Sequence, residues 1–81
     1  MADEQISERI EALVKEEHEL LDRGGTERGL DPAGHARLAE IKVELDRYWD
    51  LLRQRRARRR AGEDPEGASP RDADTVEHYL Q

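Results

Sequence analysis

Cysteine is absent from the 81 residues, so neither a disulfide nor a thiolate zinc site stiffens the chain. Phenylalanine is absent too, and the aromatic side chains amount to two tyrosines and one tryptophan. With 35% hydrophobic against 42% charged residues, there is too little apolar surface for a rounded core around an internal pocket. No hydrophobic run approaches the length of a membrane span or a signal-peptide core, so a cytoplasmic protein without membrane contact is expected. The length allows one small domain, and a domain this small often needs a partner subunit to complete its core. What remains compatible with the composition is a long amphipathic helix or a coiled coil.

The net charge of −6 is unevenly spread. Residues 1–31 hold ten acidic and four basic side chains, residues 32–61 four acidic and nine basic, and residues 62–81 six acidic and one basic. A basic segment therefore lies between two acidic ones. The chain can complement its own charge before any outside partner is invoked.

Apolar periodicity predicts two helices. In the first, over about residues 3–23, Ile6, Ile10, Leu13 and Leu20 form a heptad seam that Glu17 interrupts, with Val14 and Leu21 beside it. Asp3 is placed as its N-cap, Glu4 and Glu8 lie at the positive end of the helix dipole, and Gly24-Gly25 stop the helix. After the loop Gly24–Leu30, Asp31-Pro32 pairs an N-cap with proline at the first helical position. The second helix, residues 32–60, repeats Leu38, Ile41, Leu45, Tyr48 and Leu52 at alternating steps of three and four, with Trp49 and Leu51 widening the stripe. A short Gly-rich loop between two such helices predicts an antiparallel hairpin in which facing positions sum to about 58. Beyond Gly62 the segment Glu63–Pro70 reads as a solvated linker. Val76, Tyr79 and Leu80 then have the spacing of a short amphipathic turn that needs a surface to sit on.

The most conspicuous motif is Leu51-Leu52-Arg53-Gln54-Arg55-Arg56-Ala57-Arg58-Arg59-Arg60. Arginine is favoured at a helix C-terminus, and the hairpin register brings Asp3, Glu4, Glu8 and Glu11 near Arg55 while Arg56–Arg60 overhang. The tail acids Glu63, Asp64, Glu66, Asp72, Asp74 and Glu77 are tethered close enough to answer the rest. The competing reading is an arginine-rich arm on RNA or DNA. The acidic tail, the net charge and the lack of aromatic residues among the arginines disfavour it.

Other chemistry finds little support. His18, His35 and His78 lack the spacing of zinc signatures, and solvated histidines are the simpler reading. Ser7 and Ser69 have no histidine at a spacing that suggests a triad, and Gly24-Gly25 lacks the lysine and preceding strand of a phosphate loop. Glu17 either reaches the helix edge to pair with Arg37 or Lys42, or acts as a polar seam residue that fixes register. Trp49 is core or the anchor for a second subunit.

The run Ile10-Glu11-Ala12-Leu13-Val14-Lys15-Glu16-Glu17-His18, the block Leu45-Asp46-Arg47-Tyr48-Trp49-Asp50-Leu51-Leu52-Arg53-Gln54-Arg55-Arg56-Ala57-Arg58-Arg59 and the ending Val76-Glu77-His78-Tyr79-Leu80-Gln81 together resemble domain-of-unknown-function family 2630. That is a family of short, mainly actinobacterial proteins. The resemblance implies a complete small protein whose tail is a functional part, and carries no assigned activity, cofactor or site.

The expected protein is all-α. It is a coiled-coil-like antiparallel two-helix hairpin over residues 1–61, with a flexible acidic tail over 62–81 that ends in a short helical turn. It is read as a non-enzymatic helical interaction module without cofactor or metal, forming a homodimer. The alternative is an RNA- or ribosome-associated protein using the same arginines. The interacting residues are expected to be Trp49, Leu51, Arg53, Arg55, Arg56, Arg58, Arg59, Arg60, Val76, Tyr79 and Leu80.

Overall fold

A computed structural model describes residues 2–25 and 27–79. The chain is all-helical: α1 (Asp3–Gly24), a 3-10 turn (Glu27–Gly29), α2 (Pro32–Arg60), a second 3-10 turn (Pro65–Gly67) and α3 (Ala73–Tyr79). The 29 residues of α2 set the long dimension of a body measuring 47 × 25 × 15 Å.

Local signals in the sequence set the helix ends. Asp31 caps α2, its Oδ1 accepting from the Gly34 N–H at 2.7 Å, and Pro32 follows where no N–H is needed. At the far end Gly62 has φ +76. Its N–H donates to Arg59 O, and the Glu63 N–H donates to Arg58 O at 2.8 Å. This pair of bonds is a Schellman stop, which turns the chain back along α2. Gly25, with φ +73, ends α1. The N-cap of α1 departs from the sequence expectation. Ala2 occupies that position, with its N–H donating to Gln5 Oε1 at 2.9 Å, and Asp3 is already helical. The Asp3 carboxylate faces the end of α2 instead, where arginine cations are stronger partners than an amide.

α1 and α2 pack antiparallel around two linked clusters. Ile6, Ile10, Leu51 and Leu52 form one, flanked by Val14, Leu45, Tyr48 and Ala68. Leu13, Leu20 and Ile41 form the other, flanked by Leu30, Leu45 and Tyr48. Ile6 with Leu52, Leu13 with Leu45 and Asp3 with Arg55 match the predicted register. Ile6, Leu38, Ile41 and Val76 have the most fully enclosed side chains.

The tail was expected to be a flexible solvated linker, and here the structure differs. It folds back in cis along α2 and is held there by several side chains of that helix. Gln54 Nε2 donates to Ser69 O and Arg47 Nε donates to Arg71 O, both at 2.9 Å. Arg55 Nη1 donates to Pro65 O at 3.3 Å. α3 is the expected helical turn, started by Asp72, whose Oδ1 accepts from the Thr75 N–H at 2.7 Å. Polar backbone that looks unanchored in sequence is thus satisfied by long side chains from another element. Val76 is enclosed, while Leu80 lies outside the described residues, as does the side chain of Tyr79.

Tail docking also explains a second correction. Leu51 was expected on an exposed surface, but it is 3% exposed, with Ala68 of the tail packed against its cluster. α2 is covered on two sides, by α1 and by the tail, so a single amphipathic stripe does not describe it.

Candidate interaction surface

The six arginines of the ridge divide into two sets. Arg55 is buried, its side chain only 7% exposed. Its Nε donates to Asp3 Oδ1 at 2.5 Å and its Nη1 to Glu66 Oε1 at 3.2 Å, alongside the bond to Pro65 O. Arg59 holds the other oxygen of Asp3. The two guanidinium groups keep the Asp3 carboxyl below the ordinary carboxylate range, with the Arg55 hydrogen bond the larger cause. Asp3 in turn raises the pKa of Arg55. Arg58 lies 3.7 Å from Glu63. These three arginines join the start of α1, the end of α2 and the tail.

Arg53, Arg56 and Arg60 are exposed, and among the described residues none of them meets a carboxylate. With Trp49 they follow one another at steps of four, three and four, which sets them along one helical face. Trp49 is 44% exposed, the one large hydrophobic so open among the described residues. The ridge is therefore half answered from within. Four of the six tail acids are engaged elsewhere: Glu66 and Glu63 with Arg55 and Arg58, Asp64 and Asp72 as caps. Glu4, Glu8 and Glu11, expected near the ridge, point to solvent; the carboxylate of α1 that engages it is Asp3.

Sequence reasoning missed two polar arrangements, one buried and one half-buried. Asp50 is 4% exposed on the tail side of α2, accepts from Gln54 Nε2 at 2.9 Å and lies 3.6 Å from Arg71. Arg37 bridges the hairpin to Glu16 with two bonds (2.5 and 2.8 Å) and also reaches Glu40 at 3.1 Å. Arg37 holds the Glu16 carboxyl below its usual range. Glu17 was expected to pair with Arg37 or Lys42 or to act as a polar residue of the seam; Arg37 goes to Glu16, one helical step of some 100° away, and Glu17 is half-buried.

The two flat sides of the hairpin differ. On one, a cleft of about 380 Å³ is lined by Arg9, Glu44, Arg47, Tyr48 and the tail residue Pro70. Arg9, Ala12, Leu13 and Glu16 meet Arg37, Glu44 and Tyr48 on that same side. The helical step then turns Ile10, Val14 and Leu21 of α1, and Leu45, Trp49 and Arg53 of α2, to the opposite side, away from the tail. There a shallow apolar groove of about 540 Å³ runs along α1 between Ile10, Val14, His18 and the charged rim Glu11, Lys15, Glu19 and Asp22. His18 and His35 are exposed, and no group of three His, Asp or Glu that could hold a metal occurs among the described residues. No helix among the described residues is long and apolar enough to cross a membrane.

These features define a small all-α protein, a helical hairpin clasped by its own C-terminal segment. The chain belongs to the family described as "Protein of unknown function (DUF2630)", whose model matches residues 2–81. It is 44% identical over 80 residues to uncharacterized proteins of Mycobacterium bovis and of two strains of Mycobacterium tuberculosis, covering 95% of this chain and 88% of theirs. No solved structure matches.

Proposed function

We propose that the protein is a non-enzymatic helical interaction module of the cytoplasm that associates with a second copy of itself through the tail-free side of the hairpin. The observation that carries this reading is Trp49, 44% exposed on the side where Val14, Leu21 and Leu45 are only half-buried. A large aromatic beside incompletely covered aliphatics is the composition of an interface centre, and a second hairpin would complete a four-helix bundle. Sedimentation velocity at tens of micromolar, about the range of weak dimers, tests the association. The native chain is expected to sediment as a dimer and Trp49→Ser as a folded monomer. A folded native monomer at that concentration rejects the reading.

The second reading, an RNA- or ribosome-associated protein, is favoured by the exposed set Arg53, Arg56 and Arg60. Phosphate contacts weaken steeply with salt whereas apolar association does not, so binding measured across a salt series separates the two.

A further inference from the structure

The charges on the two helices specify how a second copy would dock. This inference rests on the self-association reading and adds its geometry. The α1 groove has an apolar floor at Ile10 and Val14 and an acidic rim that includes Glu11, Glu19 and Asp22. Glu4 lies seven residues before Glu11 and continues that rim. The open face of α2 is the converse, with one aromatic, Trp49, followed by the uncommitted cations Arg53, Arg56 and Arg60. Both strips lie on the tail-free side.

We infer that the partner of this face is a second copy of the chain, with α1 of each copy seated on α2 of the other and Trp49 entering the α1 groove. Two two-fold arrangements bring the tail-free sides together. An axis across the helices stacks α1 on α1, which confronts two acidic strips, and α2 on α2, which confronts two cationic ones. An axis parallel to the helices sets each α1 antiparallel on the other copy's α2, which joins opposite charges twice. In that second arrangement the copies lie level, so the pairing rule of the hairpin carries across the interface. Asp3 opposite Arg55 fixes that rule at a sum of about 58. Trp49 then falls at about position 9 of the other copy's α1, beside Ile10. Arg53 falls at about position 5, beside Glu4 and within two turns of Glu11. Asp46 falls at about position 12, one turn from Lys15. Arg56 falls at about position 2, half a turn from Glu4, whereas Arg60 extends past the start of α1. Arg53 and Arg56, which meet no carboxylate among the described residues, thereby obtain one, and the acidic helix obtains cations.

Charge reversal on the full-length protein tests this. Arg53→Glu alone, and Glu4→Lys with Glu11→Lys, are each expected to weaken dimerisation about tenfold, because every altered contact occurs twice in a two-fold dimer. Combining all three is expected to recover most of the affinity, and far-UV circular dichroism confirms that each variant remains helical. Because the chain lacks cysteine, Lys15→Cys and Asp46→Cys variants give an independent readout under mild oxidation. Mixed together they are expected to form the 15–46 disulfide in excess over either homodimer. A dimer whose affinity ignores the charge reversals, or that links 15 to 15 or 46 to 46, overturns the docking geometry while leaving self-association standing. A folded monomer throughout overturns both. Submicromolar binding of a single-stranded oligonucleotide at physiological salt, lost in Arg53→Glu, assigns the cationic face to nucleic acid and overturns the proposal.

Discussion

Val76→Ala measures how firmly the tail is clasped. Val76 is 2% exposed, so the substitution removes two buried carbons at about 0.8 kcal/mol each, or about 1.6 kcal/mol. The seven residues of α3 are too few to persist as an isolated helix, and the loss therefore falls on docking. Undocked α3 becomes about 15-fold more populated, since 1.4 kcal/mol corresponds to a factor of ten. The damage should stop at the bonds upstream. Arg47 still holds Arg71 O, Gln54 still holds Ser69 O, and Arg55 still holds Glu66. Hydrogen exchange followed by mass spectrometry is expected to show faster exchange over residues 73–79 and little change in the centres of α1 and α2. Unchanged exchange in that segment would mean that Val76 does not hold the tail. An equal acceleration throughout α1 would mean that tail and hairpin unfold as one unit, and either result refutes the argument.

Further outcomes follow from the same contacts. Ile41→Ala, at a fully enclosed position on the seam, should cost about 2–4 kcal/mol and lower the Tm by about 10–25 °C, read by circular dichroism. Gly62→Ala should cost about 1–2 kcal/mol in a denaturant titration, for the left-handed backbone alone, because no atom lies within 4 Å of the added Cβ. Asp3→Asn should lower the Tm at neutral pH and reduce the loss of stability in acid. The folded carboxyl titrates below its value of 3.8, so its contribution is present above that pH and is lost as pH falls through the lower folded value. Native and Asp3→Asn melting curves should therefore converge in strong acid.

The hairpin was legible because its determinants are local and periodic. Ile6, Ile10, Leu13 and Leu20 against Leu38, Ile41, Leu45 and Leu52 repeat at helical spacing, and Asp31-Pro32 and Gly62 mark ends through their own backbone preferences. Register followed as well, since one short loop between two seams leaves few alignments, and the Asp3–Arg55 bond matches it. The linker Glu63–Pro70 carries no such period. Its docking, and that of Arg71 just beyond it, depends on backbone carbonyls, at Pro65, Ser69 and Arg71, that accept from arginine and glutamine side chains of α2. A carbonyl is present at every residue, so nothing in the sequence singles these out.

The same distinction runs through the candidate surface. By itself the sequence determined that six arginines crowd the end of α2 and that acids are tethered on both sides. Only the tertiary structure decided which cations are answered: Arg55, Arg58 and Arg59 turn toward Asp3, Glu63 and Glu66, whereas Arg53, Arg56 and Arg60 turn to solvent. It likewise enclosed Leu51 and left its near neighbour Trp49 open, because the tail covers one side of α2 and not the other. Composition fixes how much charge and apolar surface a chain carries. Which part of it stays free depends on the side to which a distant segment folds back, and that is settled by contacts between residues far apart in the chain.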